Sequence, residues 1–177
     1  ITGSEGSLGI VTEAKLNLTP IAEFKTLINI KYDSFDSALR HSPFLVDARA
    51  TSVETVDSKV LNLAREDIIW NLVSDLITDV PNKDMQGLNM VEFNAVSNDD
   101  IKDKVDTLCK LLDECVANQT NGVIGYQLTS DKSDILKIYA MRKKSVGLLG
   151  NVKGSQKPLA FAEDTAVPPE NLADYIV

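Results

Sequence analysis

The sequence predicts an α+β fold: a mostly antiparallel sheet with helices packed on one face, in a ferredoxin-like arrangement. Segments with the two-residue period of strands alternate with segments of helical period, and several connections between them are short. The strands alternate in polarity, which is typical of half-buried antiparallel sheets and argues against a doubly wound parallel sheet. A chain of 177 residues, of which 44% are hydrophobic and 25% charged, is long enough for one globular core.

The predicted strands are apolar or alternating runs bounded by turn residues. Residues 10–18 alternate between two faces and end at Thr19-Pro20. Residues 87–96 show the same alternation after a turn at residues 81–84. Strands are therefore predicted at 10–18, 24–32, 51–56, 87–96, 123–128 and 159–167.

The predicted helices begin at capping residues and end at glycine, asparagine or proline. Ser34 caps a helix that is expected to run from Phe35 to about His41, because Pro43 interrupts the pattern. A helical insertion is expected near residues 57–80. Helices are predicted at 35–41, 57–64, 67–79, from 99 or 100 to the Asn121-Gly122 stop, at 131–149 and from Pro168-Pro169 onward.

Composition limits the classes of function. A net charge of −8 disfavours a nucleic-acid partner, because a phosphate backbone would be repelled. No apolar run approaches the roughly eighteen residues of a membrane span and no segment resembles a signal peptide, so a soluble, cytoplasmic protein is expected. Cys109 and Cys115 cannot pair on one helix, where their Cα atoms lie about 9 Å apart. The single histidine, His41, is expected to be exposed at a helix end, and the sequence shows no metal-ligand constellation.

A glycine-rich turn opens the chain, with glycines at positions 3, 6 and 9. Glycine lets backbone N–H groups approach a ligand closely, which suits a turn that cradles a phosphate. Rossmann and P-loop motifs continue into a helix, whereas the run at 10–18 is predicted to be a strand. The Gly-Lys-Ser/Thr of a P-loop is also missing. The pattern therefore excludes the nucleotide motifs that open a helix.

Residues 3–20, GSEGSLGIVTEAKLNLTP, resemble the segment that closes the FAD-binding domain in the flavin oxidoreductases grouped with D-lactate dehydrogenase, glycolate oxidase and vanillyl-alcohol oxidase. Further segments resemble the large bacterial members that carry FAD and an iron–sulfur segment and oxidise D-2-hydroxyglutarate or a similar D-2-hydroxy acid. These segments are YDSFDSAL at 32–39, SVETVDSKVLNLARED at 52–67, IYAMRKKSVGLLGN at 138–151 and FAEDTAVPPENLADYI at 161–176. The resemblance covers nearly the whole chain.

The resemblance implies a division of the chain and a cofactor. Residues 1–20 would be the C-terminal edge of the FAD-binding domain, and residues 21–177 would be a substrate (cap) domain truncated at its C-terminus. In the family, the glycine turn and the strand after it lie along FAD. Cofactor contacts are accordingly expected from Gly3, Ser4, Glu5, Gly6, Gly9 and Ile10.

The chain begins at Ile1 and stops at Val177 within the apolar pattern of an incipient helix, so it is interpreted as a piece of a longer polypeptide. The resemblance implies that a histidine-rich metal motif and a Glu-His pair lie beyond Val177. An iron–sulfur cluster and a divalent metal are expected elsewhere in the full-length chain. The piece alone is expected to be inactive and to hold FAD weakly.

Arg142 is the most informative residue outside the turn. On an ideal helix its direction lies within about 60° of several apolar or aromatic side chains, so a guanidinium is expected in the middle of the apolar stripe. These neighbours are Ile135, Ile138, Tyr139, Val146 and Leu149. Such a charge needs a partner, either an internal carboxylate such as Glu163 or Asp164, or water, or an anion in a pocket. The resemblance favours the anion, because the matching arginine in the family binds the substrate carboxylate.

Three further groups of polar residues carry expectations. Lys143 and Lys144 are expected on the solvated flanks of the same helix. A lysine in the last strand contacts substrate in some relatives; this chain has Ala162 there, which leaves Lys157 in the preceding loop as a substitute. Glu163 and Asp164 are neighbours on a predicted strand, so they project to opposite faces and cannot form a catalytic dyad.

Two functions of different classes follow. The first is a flavin-dependent oxidoreductase that transfers a hydride from a D-2-hydroxy acid to FAD, with the present chain as one part of it. The alternative is a free-standing ferredoxin-like module that binds a small acidic metabolite or a partner protein. That module would use the exposed sheet face and Arg142, and the glycine turn would be an ordinary loop.

Overall fold

The computed structural model describes residues 3–151 and 165–176. Its order of elements alternates strands and helices as the sequence predicts. The strands are β1 (Phe24–Tyr32), β2 (Ser52–Asp57), β3 (Gly87–Ala95) and β4 (Val123–Thr129). The helices are α1 (Phe35–Asp47), α2 (Ser58–Arg65), α3 (Asn98–Asn118), α4 (Lys132–Leu148) and α5 (Pro169–Ile176), with 3₁₀ turns at Ile68–Leu72 and Leu149–Asn151.

The four strands form one antiparallel sheet in the order β2-β3-β1-β4. Two β-α-β units, β1-α1-β2 and β3-α3-β4, interleave so that β1 and β3 occupy the centre. This is the ferredoxin-like order, and the predicted fold class is confirmed. The predicted helical insertion is α2 with the 3₁₀ turn at Ile68–Leu72, between β2 and β3.

The sheet has two differently covered faces. The first, which we call the α1/α3 face, carries Ile28, Ile30, Val91 and Phe93 and packs against α1 and α3. The second, the α4 face, carries Leu27, Leu88 and Met90 in its apolar part and packs against α2 and α4. The sequence predicted the helices on one face of the sheet, whereas the structure places α1 and α3 on one face and α2 and α4 on the other. Apolar burial on both faces is the main stabilising contribution.

Helix α1 does not end before Pro43 as predicted. Ser34 caps it as expected, accepting from the Ser37 N–H at 3.0 Å, but the helix continues to Asp47 with Pro43 inside. Leu39 and Leu45, on either side of the proline, are buried at 2% and 0% exposure. Burying both turns against the sheet offsets the lost backbone hydrogen bond, which typically costs about 3 kcal/mol.

Residues 10–18 do not form the predicted strand. In the described structure this segment has no assigned secondary structure, and Ile10, Leu16 and Leu18 are 91%, 75% and 81% exposed. A strand requires a neighbour for its backbone N–H and C=O groups. Among residues 3–151 and 165–176, no strand pairs with this segment. Although its side chains alternate in polarity, neither face of this segment is buried by the described part of the chain.

The predicted helix at 67–79 is also wrong. Asp67 accepts from the Ile69 N–H at 2.8 Å and begins only a 3₁₀ turn at Ile68–Leu72, which further turns follow. These turns bury Val73 and Ile77 on the α4 face, whereas Ile68 is 76% exposed. The apolar spacing is typical of a helical stripe, but only part of it contacts the sheet.

The end of the described chain confirms one prediction and leaves another untested. Helix α5 begins at Pro169, the second residue of the Pro168-Pro169 pair at which the sequence predicts a helix start. Its Asp174 pairs with Arg40 of α1 at 2.9 Å. Most of the strand predicted at 159–167 lies outside the described residues, and residues 165–167 are not in a strand.

Candidate substrate site on the α4 face

A cluster of polar side chains lies where α4 crosses one end of the sheet. Strand alternation and the β1–β3 and β2–β3 registers place its strand members on the same face as Leu27 and Met90. We call it the α4 polar cluster; it consists of Lys25 of β1, Ser52 and Glu54 of β2, Glu92 and Asn94 of β3, and Tyr139 and Arg142 of α4.

Glu92 is the buried centre of this cluster, with 6% exposure. Its carboxylate pairs with Lys25 Nζ at 2.9 Å and accepts hydrogen bonds from Asn94 Nδ2 at 2.8 Å and from the Tyr139 hydroxyl at 2.6 Å. Burial by itself would raise the pKa of the Glu92 carboxyl. The three donors outweigh that effect and leave its pKa below the usual value. Glu92 is therefore an ionised carboxylate that links β1, β3 and α4.

Tyr139 lies one turn before Arg142 on α4. Burial, and then the hydrogen bond that its hydroxyl donates to Glu92, raise the pKa of Tyr139 well above its usual value. The phenol therefore stays protonated and cannot act as a base near neutral pH. It instead ties this turn of the helix to the sheet.

Arg142 does not lie in the middle of the apolar stripe. The buried line of α4 runs through Ile135, Ile138, Met141 and Ser145, whereas the Arg142 side chain is 46% exposed on the flank. Relative to the predicted orientation, α4 is rotated about its axis so that Met141, and not Arg142, packs against the sheet. The predicted apolar stripe includes Tyr139 and Leu149. In the structure Tyr139 is only half-buried, and Leu149 lies beyond the end of α4.

The carboxylate that faces Arg142 is Glu54, not Glu163 or Asp164. Arg142 Nε lies 2.6 Å from Glu54 Oε2, and the Glu54 side chain is 32% exposed. Glu54 Oε2 is itself shielded from solvent and accepts no aligned hydrogen bond, so the contact is an ion pair rather than a directed bond. Glu163 and Asp164 lie outside the described residues, as does Lys157, so the role predicted for Lys157 stays a prediction.

The neighbouring lysines on α4 have the solvated positions that the sequence predicted. Lys143 and Lys144 are both exposed, and Lys144 Nζ pairs with Asp67 Oδ1 at 2.6 Å. This pair holds the end of α4 against the 3₁₀ turn after α2. Both ion pairs therefore use a side chain of α4, but Lys144 pairs with the segment after α2 and Arg142 pairs with β2.

The glycine turn lies at the surface, with Gly3, Glu5 and Gly6 exposed. Gly3 and Gly6 have φ of 83°, and Glu5 has φ of 49°. Ser7 donates to the Ser4 carbonyl through its N–H at 2.9 Å and its hydroxyl at 2.6 Å. A Cβ added at any of the three glycines would meet no atom within 4 Å. The described residues therefore do not build a flavin site around the turn by themselves, and the contacts predicted from Gly3, Ser4, Glu5, Gly6, Gly9 and Ile10 stay predictions.

His41 is buried rather than exposed at a helix end, with 4% exposure. Because Pro43 does not end α1, His41 lies inside the helix and faces the sheet. Asn89 Nδ2 donates to the Tyr32 hydroxyl at 3.1 Å, and that hydroxyl hydrogen-bonds His41 Nδ1 at 2.8 Å. The His41 ring also stacks on Phe44, with ring centroids 4.9 Å apart. This network lies on the α1/α3 face, away from Arg142.

Other potential sites in the described residues are limited. An open groove of about 450 Å³ lies beside β1 and the start of α3, with Lys25, Lys102 and Lys132 in its lining and Arg142 outside it. Within the described residues no three His, Cys, Asp or Glu side chains could hold a metal ion together. Both cysteines are free thiols, with Cys115 buried in the core. Across residues 3–151 and 165–176, each helix lacks the length or the apolar character that a membrane crossing requires.

The sequence did not single out Glu54, Glu92 or Tyr139. Glu92 was the detectable one, because it is a lone carboxylate inside the apolar run at 88–93 of a predicted strand. A charge in such a strand needs partners from neighbouring elements. Glu54 gave no such signal, because its contact with Arg142 depends on how β2 and α4 meet.

Comparison with known proteins agrees with this architecture. Residues 21–177 match the family model described as "FAD linked oxidases, C-terminal domain". The chain is 60% identical over 176 residues to the D-2-hydroxyglutarate dehydrogenase of Escherichia coli (strain K12) and 59% identical over 176 residues to that of Haemophilus influenzae. Each match covers 99% of this chain but 17% of the relative. The glycolate oxidase subunit GlcD of Bacillus subtilis is 25% identical over 98% of this chain and 33% of its own length.

The chain thus spans about a sixth of the length of the curated dehydrogenases that it matches and, since the family model covers residues 21–177, it belongs to the family of FAD linked oxidases, C-terminal domain.

Proposed function

We propose that the chain is part of a flavin-dependent dehydrogenase that oxidises a D-2-hydroxy acid, with D-2-hydroxyglutarate as the first candidate. The proposal is supported by identity of 57–60% to proteins named D-2-hydroxyglutarate dehydrogenase, along nearly the whole chain. It is also supported by membership of a family of FAD linked oxidases. These comparisons favour the flavoenzyme over a free-standing ferredoxin-like module.

The proposed division assigns residues 1–20 to the edge of an FAD-binding domain and residues 21–177 to a substrate domain. It is supported by the start of the family match at residue 21 and by the first strand of the sheet, which begins at Phe24. The exposed apolar side chains before this strand also support it, because such a segment gains stability when another part of a polypeptide covers it. Cytoplasmic location and the absence of a nucleic-acid partner are proposed from the composition and the net charge of −8.

The geometry of Arg142 is the observation that carries the proposal. Its guanidinium lies at the solvent-facing side of the α4 polar cluster. A planar fork with parallel N–H donors is suited to a carboxylate, which every 2-hydroxy acid carries. We assign to Arg142 the binding and orientation of a substrate carboxylate, and to Lys157, which lies outside the described residues, a second contact with the substrate.

The chemistry would be shared between this chain and a bound cofactor. FAD, when bound, would supply the acceptor for the hydride from the substrate α-carbon. Arg142 would hold the acid, and Tyr139 and Glu92 would hold the helix that carries Arg142. The general base, a divalent metal and an iron–sulfur cluster are proposed for other parts of the full-length chain, as the family resemblance implies.

One consequence concerns the isolated chain. We expect the purified 177-residue protein to show no stoichiometric flavin absorbance and no dehydrogenase activity, because the described residues build no flavin site around its glycine turn. Absorbance near the flavin maximum after desalting is the measurement. A stoichiometric flavin signal would contradict the proposed division of the site.

The reaction class is tested on the full-length gene product. D-2-hydroxyglutarate, D-lactate and glycolate are added in turn without oxygen, and bleaching of the flavin absorbance is followed. We expect bleaching by D-2-hydroxyglutarate, with slower responses to the other two acids. No bleaching by any D-2-hydroxy acid in a flavin-loaded protein would overturn the proposal.

A further inference from the structure

Among the described residues, the Arg142–Glu54 pair leaves one edge of the guanidinium without a carboxylate partner. A guanidinium offers two bidentate edges, one formed by Nε with one Nη and the other by the two Nη atoms. Glu54 meets the first edge, since its Oε2 lies 2.6 Å from Nε. Within the described residues, no second carboxylate pairs with Arg142. The edge formed by the two Nη atoms therefore remains available to an anion.

Glu54 is held by a rigid part of the sheet. Strand β2 pairs with β3 from Ser52 to Asp57, and Glu54 stands opposite Met90, which is fully buried. The next residue, Thr55, donates its hydroxyl hydrogen to Asn89 Oδ1 at 2.7 Å across the same two strands. These contacts fix the backbone of Glu54 relative to β3. Its carboxylate can restrict a flexible arginine that projects from a neighbouring helix.

The ion pair between Glu54 and Arg142 is expected to contribute little to the stability of the fold. An ion pair between half-exposed side chains typically contributes 1 kcal/mol or less. Glu54 Oε2 is nevertheless shielded from water without an aligned hydrogen bond, which is unfavourable for a carboxylate. Its clearest effect is on the orientation of the guanidinium, since it leaves only one edge for an incoming carboxylate.

We propose that Glu54 is a positioning residue: it holds the Nε edge of Arg142 so that the two Nη atoms present one fixed fork to the substrate carboxylate. This inference rests on the proposed function of Arg142. It adds a residue that acts through Arg142 without touching the substrate. It also makes β2, and not only α4, part of the substrate site.

A double-mutant cycle in the full-length, flavin-loaded enzyme tests the proposal. The variants are Glu54→Ala, Arg142→Ala and the double variant, with kcat/KM for D-2-hydroxyglutarate as the first readout. The second readout is the dissociation constant of 2-oxoglutarate, the 2-oxo acid that this oxidation forms, from the change in flavin absorbance. We expect Glu54→Ala to lower kcat/KM about tenfold, because misorientation of a bound acid is costly.

The coupling separates positioning from a structural role. In the Arg142→Ala background, Glu54→Ala should change kcat/KM by less than about twofold, because the group it positions is gone. Affinity for 2-oxoglutarate should show the same loss of effect. An equal loss in both backgrounds would overturn the inference and leave the proposed function intact. If Arg142→Ala itself changes neither readout, the proposed role of Arg142 fails first.

Two further variants make the test robust. Glu54→Gln keeps the size of the side chain beside Arg142 but removes the charge of the ion pair, so we expect about a threefold loss, smaller than that of Glu54→Ala. It replaces Glu54→Ala in the cycle if the alanine variant loses flavin. Lys144→Ala is the matched control, because it removes another ion pair of α4, that with Asp67, and should leave both readouts within twofold. A Lys144→Ala loss as large as that of Glu54→Ala would also overturn the inference.

Discussion

The two faces of the sheet bury different kinds of side chain. The α1/α3 face buries mainly apolar residues, and its polar members Tyr32, His41 and Asn89 hydrogen-bond to one another. The α4 face holds the two buried charged residues of the described chain, Lys31 and Glu92. Lys31 Nζ donates to Gln127 Oε1 at 2.6 Å, and burial lowers the pKa of its ammonium group.

This difference is consistent with the proposed position of the substrate site on the α4 face. A face that is mainly apolar stabilises the sheet through burial and supplies no charged side chain that could bind a substrate. Buried charges cost free energy unless they are paired, so natural cores hold few of them outside functional sites. Of the two buried charges on the α4 face, Glu92 belongs to the cluster that contains Arg142, whereas Lys31 hydrogen-bonds Thr78 and Gln127 elsewhere on this face. We infer that the α1/α3 face supports the fold and that the α4 face carries the substrate site.

The largest expected effect comes from breaking the α1/α3 face. Leu108 of α3 is 1% exposed in this core, and Leu108→Ala should lower the free energy of unfolding by about 2–5 kcal/mol through lost burial and a cavity. Leu136→Ala is the matched control, because Leu136 is 68% exposed on α4 and its loss should cost less than about 0.5 kcal/mol. Urea unfolding measures both, and equal losses would contradict the assignment of the core.

A smaller loss of stability is expected on the α4 face. Glu92→Ala removes the carboxylate that Lys25, Asn94 and Tyr139 share, and should lower the free energy of unfolding by about 2 kcal/mol. Glu92→Gln should cost less, because its amide oxygen can still accept from Tyr139. Glu114→Ala, at an exposed position of α3, is the control. Urea unfolding in which Glu92→Ala matches this control would show that the cluster does not tie α4 to the sheet.

The polar network of the α1/α3 face predicts a dependence on pH. Burial lowers the pKa of His41 to about 4, from an ordinary value of 6.5. The unfolded chain therefore binds a proton below about pH 6.5 that the folded chain does not bind until about pH 4, so stability falls as pH falls through this window. Between pH 6.5 and 5 the loss attributable to His41 should reach about 1–2 kcal/mol.

The measurement is the free energy of unfolding at several pH values between 5 and 7. His41→Gln, which can still accept from the Tyr32 hydroxyl, should flatten the curve in this window even if it lowers stability overall. An unchanged slope in this variant would show that His41 is not responsible.

Local patterns predicted the centre of the fold well. Strands β1 and β3 were predicted within a residue of their ends, because their apolar runs are bounded by turn residues and lie at the centre of the sheet. Tertiary contacts decided the places where prediction failed. Pro43 stays inside α1 because Leu39 and Leu45 are both buried, and residues 10–18 form no strand where no neighbour is present.

The candidate site was only partly predictable for the same reason. Arg142 was identified by its surroundings in the sequence and by the family resemblance. Its orientation depends on Met141 packing against the sheet, and its partner Glu54 lies 88 positions earlier in the chain. No local period connects residues so far apart. Only the way in which α4 packs on β2 and β3 brings them together.

The most direct test of the account is the KM of the full-length enzyme for D-2-hydroxyglutarate with Arg142→Lys. Lysine keeps the positive charge but loses the planar fork of N–H donors. We therefore expect KM to rise about tenfold or more while the flavin content stays unchanged. A KM within twofold of the unmodified enzyme, at equal flavin content, would contradict the claim that Arg142 binds the substrate carboxylate.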